Sequence, residues 1–280
     1  MAIDDDLTYQ RTAPSGSAVA KVGLIAEGVS AGYNGTAIVK TFDFAAHAGE
    51  LTALIGPNGS GKSTALKAMA RVLPVLAGKV SVGDLDVHRA HSRTVAQSLA
   101  LLPQGPVAPE GLSVRELVAQ GRFPYQTLLR QWSADDAAAV DAAMNAADVA
   151  RFADRRVSDL SGGQRQRCWI AMVLAQDTPV LLLDEPTTFL DLKVQVDLMQ
   201  LLQDTARAEH RTIVIVLHDL NVAAAFADRL VMMKDGRVVA DGAVAEVFVA
   251  ARLADVFGLE ARVISDPESG RPVCIPVARS

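Results

Sequence analysis

The sequence predicts an α/β fold, a largely parallel sheet interrupted by a helical insertion, and three observations carry that prediction. The first is a set of short apolar runs, Leu99–Leu102, Val180–Leu183 and Ile213–Leu217, each ended by Pro or by a polar or charged residue. Runs of this length, rich in Leu and β-branched residues, read as strands buried on both faces. The second is the order strand, Gly-rich loop, helix over residues 50–72. The third is the stretch from about Leu112 to Asp177, Ala-rich and helical in spacing, with no good strand.

The elements follow in order. Residues 1–20 are polar and small, with Pro14, Ser15, Gly16 and Ser17, and read as a flexible tail. A β-type segment covers Val22–Ala26, an alternating stretch covers Ala37–Ala45, and Glu50–Ile55 is an apolar strand. Lys62–Val72 has helical spacing through Leu66, Met69, Ala70 and Leu73. Residues 78–102 hold short strands and one helix. Ser113 with Glu116 is a capping box, and Ser133 with Asp136 is a similar start signal. Strand Val180–Leu183, a helix from about Leu192 to Ala208, strand Thr212–Leu217 and a helix near Leu220–Ala227 come next. Asp235-Gly236 signals a hairpin turn. Two short helices and a second hairpin-like pair around Pro267–Arg271 complete the chain, and no internal repeat is visible.

Composition narrows the function classes. Half of the 280 residues are hydrophobic and the mean hydropathy is +0.22, which raises a membrane protein first. A spanning helix needs roughly 20 consecutive apolar residues, and no such run exists. The net charge of −5 and pI near 5.5 argue against a nucleic-acid binder. Cys168 and Cys274 cannot build a disulfide framework and form no metal-type pair, which suits a reduced, cytoplasmic compartment. The start carries Asp4, Asp5 and Asp6, unlike a signal peptide. The five histidines show no metal-ligand spacing.

Gly56-Pro57-Asn58-Gly59-Ser60-Gly61-Lys62-Ser63-Thr64 matches the P-loop pattern G-x-x-x-x-G-K-[ST]. Its glycines let backbone N–H groups turn inward around phosphate oxygens, and the following helix adds its positive end. Lys62 is expected to reach the β- and γ-phosphates and the Ser63 hydroxyl to ligate Mg²⁺. Val180–Leu183 delivers Asp184 and Glu185 at a strand tip: Asp184 suits a Mg²⁺ contact and Glu185 would polarise the attacking water. Leu160-Ser161-Gly162-Gly163-Gln164 precedes Arg165-Gln166-Arg167, and Ser161 with the two glycines would expose N–H groups at a helix N-terminus, a second phosphate site.

With this pentapeptide just before the Asp184–Glu185 strand, the sequence resembles the ATP-binding subunits of ABC transporters over about residues 21–280. Leu160–Gln164 is similar to the family's signature motif, which completes the site of the opposite subunit. Gln104 matches the Q-loop glutamine, which approaches Mg²⁺ and senses the membrane subunit. Asp191 matches the D-loop, which crosses the dimer interface. His218 matches the switch histidine that contacts the γ-phosphate, and Tyr33 the aromatic that stacks on adenine.

The resemblance implies a P-loop NTPase core (residues 21–257) with an N-terminal antiparallel β subdomain and a helical subdomain at about 105–177. A small C-terminal β extension, 258–280, follows. It also implies ATP and Mg²⁺ as ligands, a head-to-tail homodimer, a separate integral membrane permease, a substrate-binding protein met through that permease, no nucleic acid, and a place on the cytoplasmic face of the cell membrane.

Local strings are similar to the ATPases of iron(III)-siderophore importers, which resemble those of cobalamin and haem importers. They are Gly121-Arg122-Phe123-Pro124-Tyr125, Trp169–Met172, Pro186–Leu192 and the stretch from Gly258 to Pro276. A soluble ABC-type ATPase acting on nucleic acid or ribosomes is the rival outside transport. Such chains usually carry two P-loops or basic inserts, whereas this one has a single P-loop.

Overall fold

The computed structural model describes residues 22–127, 131–188 and 190–277. The expected tail at residues 1–20 lies outside them, as does Phe189.

The apolar runs form the sheet expected of them. Strands β3 (Leu51–Ile55), β7 (Val180–Asp184) and β8 (Thr212–Val216) are buried at every position. Successive side chains of a strand point to opposite faces, and here both faces are covered. Ala53, Ile55, Leu181, Leu183, Ile213 and Ile215 enter one core. Leu54, Leu182, Val214 and Val216 enter a second. Each Leu, Ile or Val so buried stabilises the fold by about 1.5–3 kcal/mol, and this two-sided burial accounts for the high hydropathy of the chain.

The strand order is β10-β9-β3-β8-β7-β6, with β6 at Leu99–Leu102, β9 at Arg229–Lys234 and β10 at Arg237–Ala243. The β9-β3-β8-β7-β6 pairs are parallel, and only the β10 edge is antiparallel. Asp235 (φ 50°) and Gly236 (φ 80°) make the β9–β10 turn, as a two-residue hairpin requires.

A second, antiparallel sheet has the order β2-β1-β4-β5, formed by β1 (Val22–Tyr33), β2 (Thr36–His47), β4 (Val75–Val82) and β5 (Leu85–Asp86). Strand β1 runs seven residues past the expected Ala26 end. A bulge between Ala26 and Val29 holds Gly28 at φ 57°, with its N–H bonded to Asp43 Oδ1 at 2.7 Å. The bulge breaks the alternation without ending the strand. Helix α1 (Lys62–Met69) packs beneath β1 and β2, and it stops short of Val72 because Arg71 takes φ 60°.

Helix α2 (Ser92–Ser98) precedes β6. Helices α3 (Val114–Ala119), α4 (Ala134–Ala146) and α5 (Gly162–Ala175) pack on one another. Each starts with a reciprocal capping box: Ser113/Glu116, Ser133/Asp136 and Ser161/Gln164.

One buried ion pair ties this helical segment together. Arg122 donates to Asp136 Oδ1 at 3.0 Å and to the Ala175 carbonyl at 2.8 Å, and lies 4.0 Å over the Tyr125 ring. It joins the turn after α3, the start of α4 and the end of α5, with Arg122 6% and Asp136 1% exposed. Burial alone would raise the Asp136 pKa, but hydrogen bonds from Ser133 and Arg122 outweigh it and hold the carboxyl below its usual range. The pair's contribution is therefore present at neutral pH and is lost as pH falls through that lowered value. Arg122→Ala would leave the carboxylate buried without its cation, at a cost of about 3 kcal/mol. An unfolding free energy from denaturant titration within about 0.5 kcal/mol of wild type would contradict this.

Helices α6 (Leu192–Ala208) and α7 (Leu220–Phe226) follow β7 and β8. The chain closes with α8 (Val244–Val247), α9 (Ala250–Phe257) and an antiparallel hairpin of β11 (Ala261–Ser265) and β12 (Pro272–Pro276). No helix among the described residues is long and apolar enough to cross a membrane.

Candidate functional site

Parallel strands that are neighbours in a sheet deliver their carboxyl ends to one edge, and ligands bind there in open α/β folds. Strand β3 ends at the 56–61 loop, β8 at Leu217-His218, β7 at Asp184-Glu185 and β6 at Pro103-Gln104. The register holds these ends level: Leu54 pairs with Val216, Asp184 with Val216, and Leu102 with Leu183. Gln104 reaches, through its bond to Glu185, the one cleft that the other three segments line. This cleft is lined by Ile38, Asn58, Gly59, Gly61, Lys62, Ser63, Thr64, Glu185 and His218.

The loop at 56–61 is built by its glycines. A Cβ on Gly56 would sit 2.2 Å from the Met233 carbonyl, so β9 can approach only a glycine there. Gly61 caps α1 at φ 98°, a conformation that side chains rarely adopt. The Lys62 ammonium folds back over the loop and donates to the carbonyls of Gly56 (2.8 Å) and Pro57 (3.0 Å). Burial strips water from it and lowers its pKa, while Glu185 and Asp184 pull the other way.

The carboxylates divide by environment. Asp184 is 1% exposed. Desolvation raises its pKa, opposed by the Ser63 hydroxyl, which donates to Oδ1 at 2.8 Å. Its Oδ2 is buried and has no hydrogen-bond partner. An unsatisfied buried carboxylate oxygen beside a hydroxyl is the donor chemistry of a hard divalent cation.

Glu185 has a strained backbone at φ 52°, which costs about 1 kcal/mol or more and signals a fixed functional geometry. Its Oε2 accepts from Gln104 Nε2 at 2.6 Å, and its Oε1 pairs with His218 Nε2. The structure therefore joins Gln104, Glu185 and His218 in one contact chain.

Other candidates lie elsewhere. Ser161 caps α5, and with Gly162 it is exposed; the 161–164 segment does not line the cleft. Asp191 caps α6, accepting from the Val194 N–H at 2.9 Å, and is exposed. Tyr33 is 46% exposed at the end of β1 and is not a lining residue either. The sequence does not single out Ile38, which lines the cleft, because nothing chemical distinguishes one isoleucine of an alternating strand. Cys168 is fully buried, and burial pushes its thiol up to about 11, so it stays a packed thiol.

Comparison with known proteins shows the family. The ABC transporter family pattern matches residues 39–188. The "Probable siderophore transport system ATP-binding protein YusV" of Bacillus subtilis (strain 168) is 47% identical over 253 residues, 90% of this chain and 92% of that protein. The "Achromobactin transport ATP-binding protein CbrD" of Dickeya dadantii (strain 3937) is 48% identical over 248 residues, 89% and 92% of the two chains.

Among solved structures, a provisionally assigned metal-chelate type ABC transporter in an inward-facing conformation superposes with a TM-score of 0.80 at 26% identity, covering 92% of this chain and 98% of that one. The dimeric bacterial ABC transporter cassette MJ0796 superposes at 0.70 with 28% identity, covering 79% and 98%. The chain belongs to the ABC transporter family, as one of its ATP-binding, ATP-hydrolysing subunits.

Proposed function

We propose that this chain is the ATP-driven motor of a ferric-siderophore importer, acting as a head-to-tail dimer on the inner face of a separate membrane permease. One observation carries the ATPase part. Lys62, Glu185 and His218 line one cleft, with Asp184 bonded to Ser63 and Gln104 to Glu185, while Ser161 and Gly162 at the start of α5 are exposed outside it. A cleft of this kind holds a triphosphate from one side. The Ser161–Gly163 segment of a second copy supplies the other side.

In this reading Lys62 exchanges its two loop carbonyls for β- and γ-phosphate oxygens, and the 56–61 amides wrap the same phosphates. Ser63, Asp184 and Gln104 would hold Mg²⁺, which the unpartnered Asp184 Oδ2 fits, and the ion would supply charge neutralisation for the triphosphate. Glu185 turns from His218 to the attacking water, orients it in line with the γ-phosphorus and takes its proton as the bond to the ADP oxygen breaks. His218, released from Glu185, donates to a γ-phosphate oxygen. Tyr33 stacks on the adenine, and Asp191 lies at the dimer interface. Loss of the γ-phosphate removes the contacts that bridge two copies, and the dimer reopens.

The dimer is supported by the dimeric cassette among the similar structures, and the cargo by the siderophore and achromobactin systems named for the relatives. Exposed apolar side chains on and near the helical segment, Val107, Phe123 and Trp132, suit a permease contact. We place the working domains at 21–257 for the nucleotide-binding domain, with its helical part at about 105–177, and 258–280 for the extension.

Ser161→Arg should leave ATP binding by a single copy unchanged and cut hydrolysis by about a hundredfold or more. Turnover near wild type would contradict a role in the partner's site. The cargo is tested by pulling the chain from membranes with its permease and following uptake of labelled ferric siderophore, haem and cobalamin in vesicles. Siderophore uptake that needs ATP and stops with Glu185→Gln is expected. Recovery of no membrane protein, or uptake of haem or cobalamin alone, would contradict the reading.

A further inference from the structure

We propose that the C-terminal hairpin braces His218, with Asn221 and Arg271 as positioning residues for ATP hydrolysis. The inference rests on the reading of His218 as the γ-phosphate contact. The His218 side chain is about half-exposed, and its Nε2 pairs with Glu185 Oε1. Its backbone is fixed on one side by β8 and on the other by α7, which begins two residues later. Asp219 joins them as the α7 N-cap, accepting from the N–H groups of Asn221 (2.8 Å) and Val222 (3.0 Å).

Helix α7 has seven residues, about two turns, too short to be stable alone. Its position is set by what grips it, and the hairpin grips both ends. At the first turn, Asn221 Oδ1 accepts from the Cys274 N–H at 2.8 Å, and its Nδ2 donates to the Cys274 carbonyl at 3.2 Å. At the last turn, Arg271 Nη1 donates to the carbonyls of Ala227 (2.5 Å) and Ala224 (3.4 Å). These are carbonyls at a helix end, where a cation is favoured by the helix dipole.

The hairpin is itself anchored. Strand β12 packs along α7 and β11 packs on α9, and α9 is held to β9 by Lys234 Nζ, 2.9 Å from Asp255 Oδ1. A lone two-stranded hairpin is marginal in water, so hairpin and α7 order each other. The consequence for chemistry is a chain of contacts from β9 through α9, the hairpin and α7 to the backbone that carries His218.

The test uses the full chain with Arg271→Ala and Asn221→Ala. Each should lower kcat for ATP hydrolysis by about tenfold or more, since small misplacements of a reacting contact have effects of that size. ATP affinity should stay within about twofold, because neither residue touches the P-loop. Arg271→Lys, which keeps a cation for the two carbonyls, should recover most of the rate, and its thermal midpoint serves as the folding control. In a His218→Ala background the Arg271→Ala change should have no further effect, because both act through one contact.

Wild-type kcat in both alanine variants alongside a strongly impaired His218→Ala would overturn the brace while leaving the role of His218 intact. So would a full extra loss in the double variant, which would mark a general structural effect. A His218→Ala chain with wild-type kcat would overturn the role of His218 and the brace with it.

Discussion

Glu185→Gln should bind ATP with near wild-type affinity, hydrolyse it at least a hundredfold more slowly and accumulate as an ATP-bound dimer. The substitution keeps shape and hydrogen-bonding capacity but removes the strand-end carboxylate that contacts both Gln104 and His218. General-base catalysis contributes typically about 10²- to 10⁴-fold, which sets the size of the loss. The P-loop contacts are untouched, so the triphosphate persists and holds two copies together. Sedimentation with ATP, set against phosphate release, checks both halves. A rate near wild type would remove Glu185 as the base.

Lys62→Ala should weaken ATP binding by about a hundredfold, the scale of losing one desolvated charged contact of roughly 3 kcal/mol. The ammonium is nearly buried and bonded to two carbonyls of the phosphate loop itself, so it stands beside the phosphates for which it exchanges them. The variant should remain folded, because losing the cation also relieves its burial. Titration with a fluorescent ATP analogue measures the loss, and unchanged affinity would contradict the phosphate assignment of the 56–64 loop.

Much of the fold was legible because its signals are local. The apolar runs ending at Asp184, His218 and Pro103 mark strands by composition alone, and helix α6 begins and ends where its spacing indicates, at Leu192 and Ala208. The Ser113 and Ser133 starts are capping boxes readable in four residues. Strand β1 was harder, because the Gly28 bulge shifts the alternation and hides its continuation to Tyr33. The end of α1 was misjudged because the Arg71 backbone, not the apolar spacing, stops it.

The candidate site was legible as residues but not as an arrangement. Nothing in one dimension says that Gln104, Glu185 and His218 share a contact chain, since 81 residues separate the first pair. Nor could Asn221 be tied to Cys274, 53 residues away. Arg122 and Asp136 defeat sequence reasoning for another reason: charged residues are exposed by default, and only the packing of α4 and α5 around them makes their burial visible.

The central claim is that each ATP is cleaved between two copies, by the P-loop of one and the Ser161 segment of the other. Mixing Lys62→Ala with Ser161→Arg protein tests it most directly. Each variant alone should be inactive. In the mixture, half of the dimers are mixed, and each mixed dimer holds one complete site, from the intact P-loop of one copy and the intact Ser161 segment of the other. Phosphate release should therefore recover to about a quarter of the wild-type rate. A mixture as inactive as its components would contradict a site shared between copies.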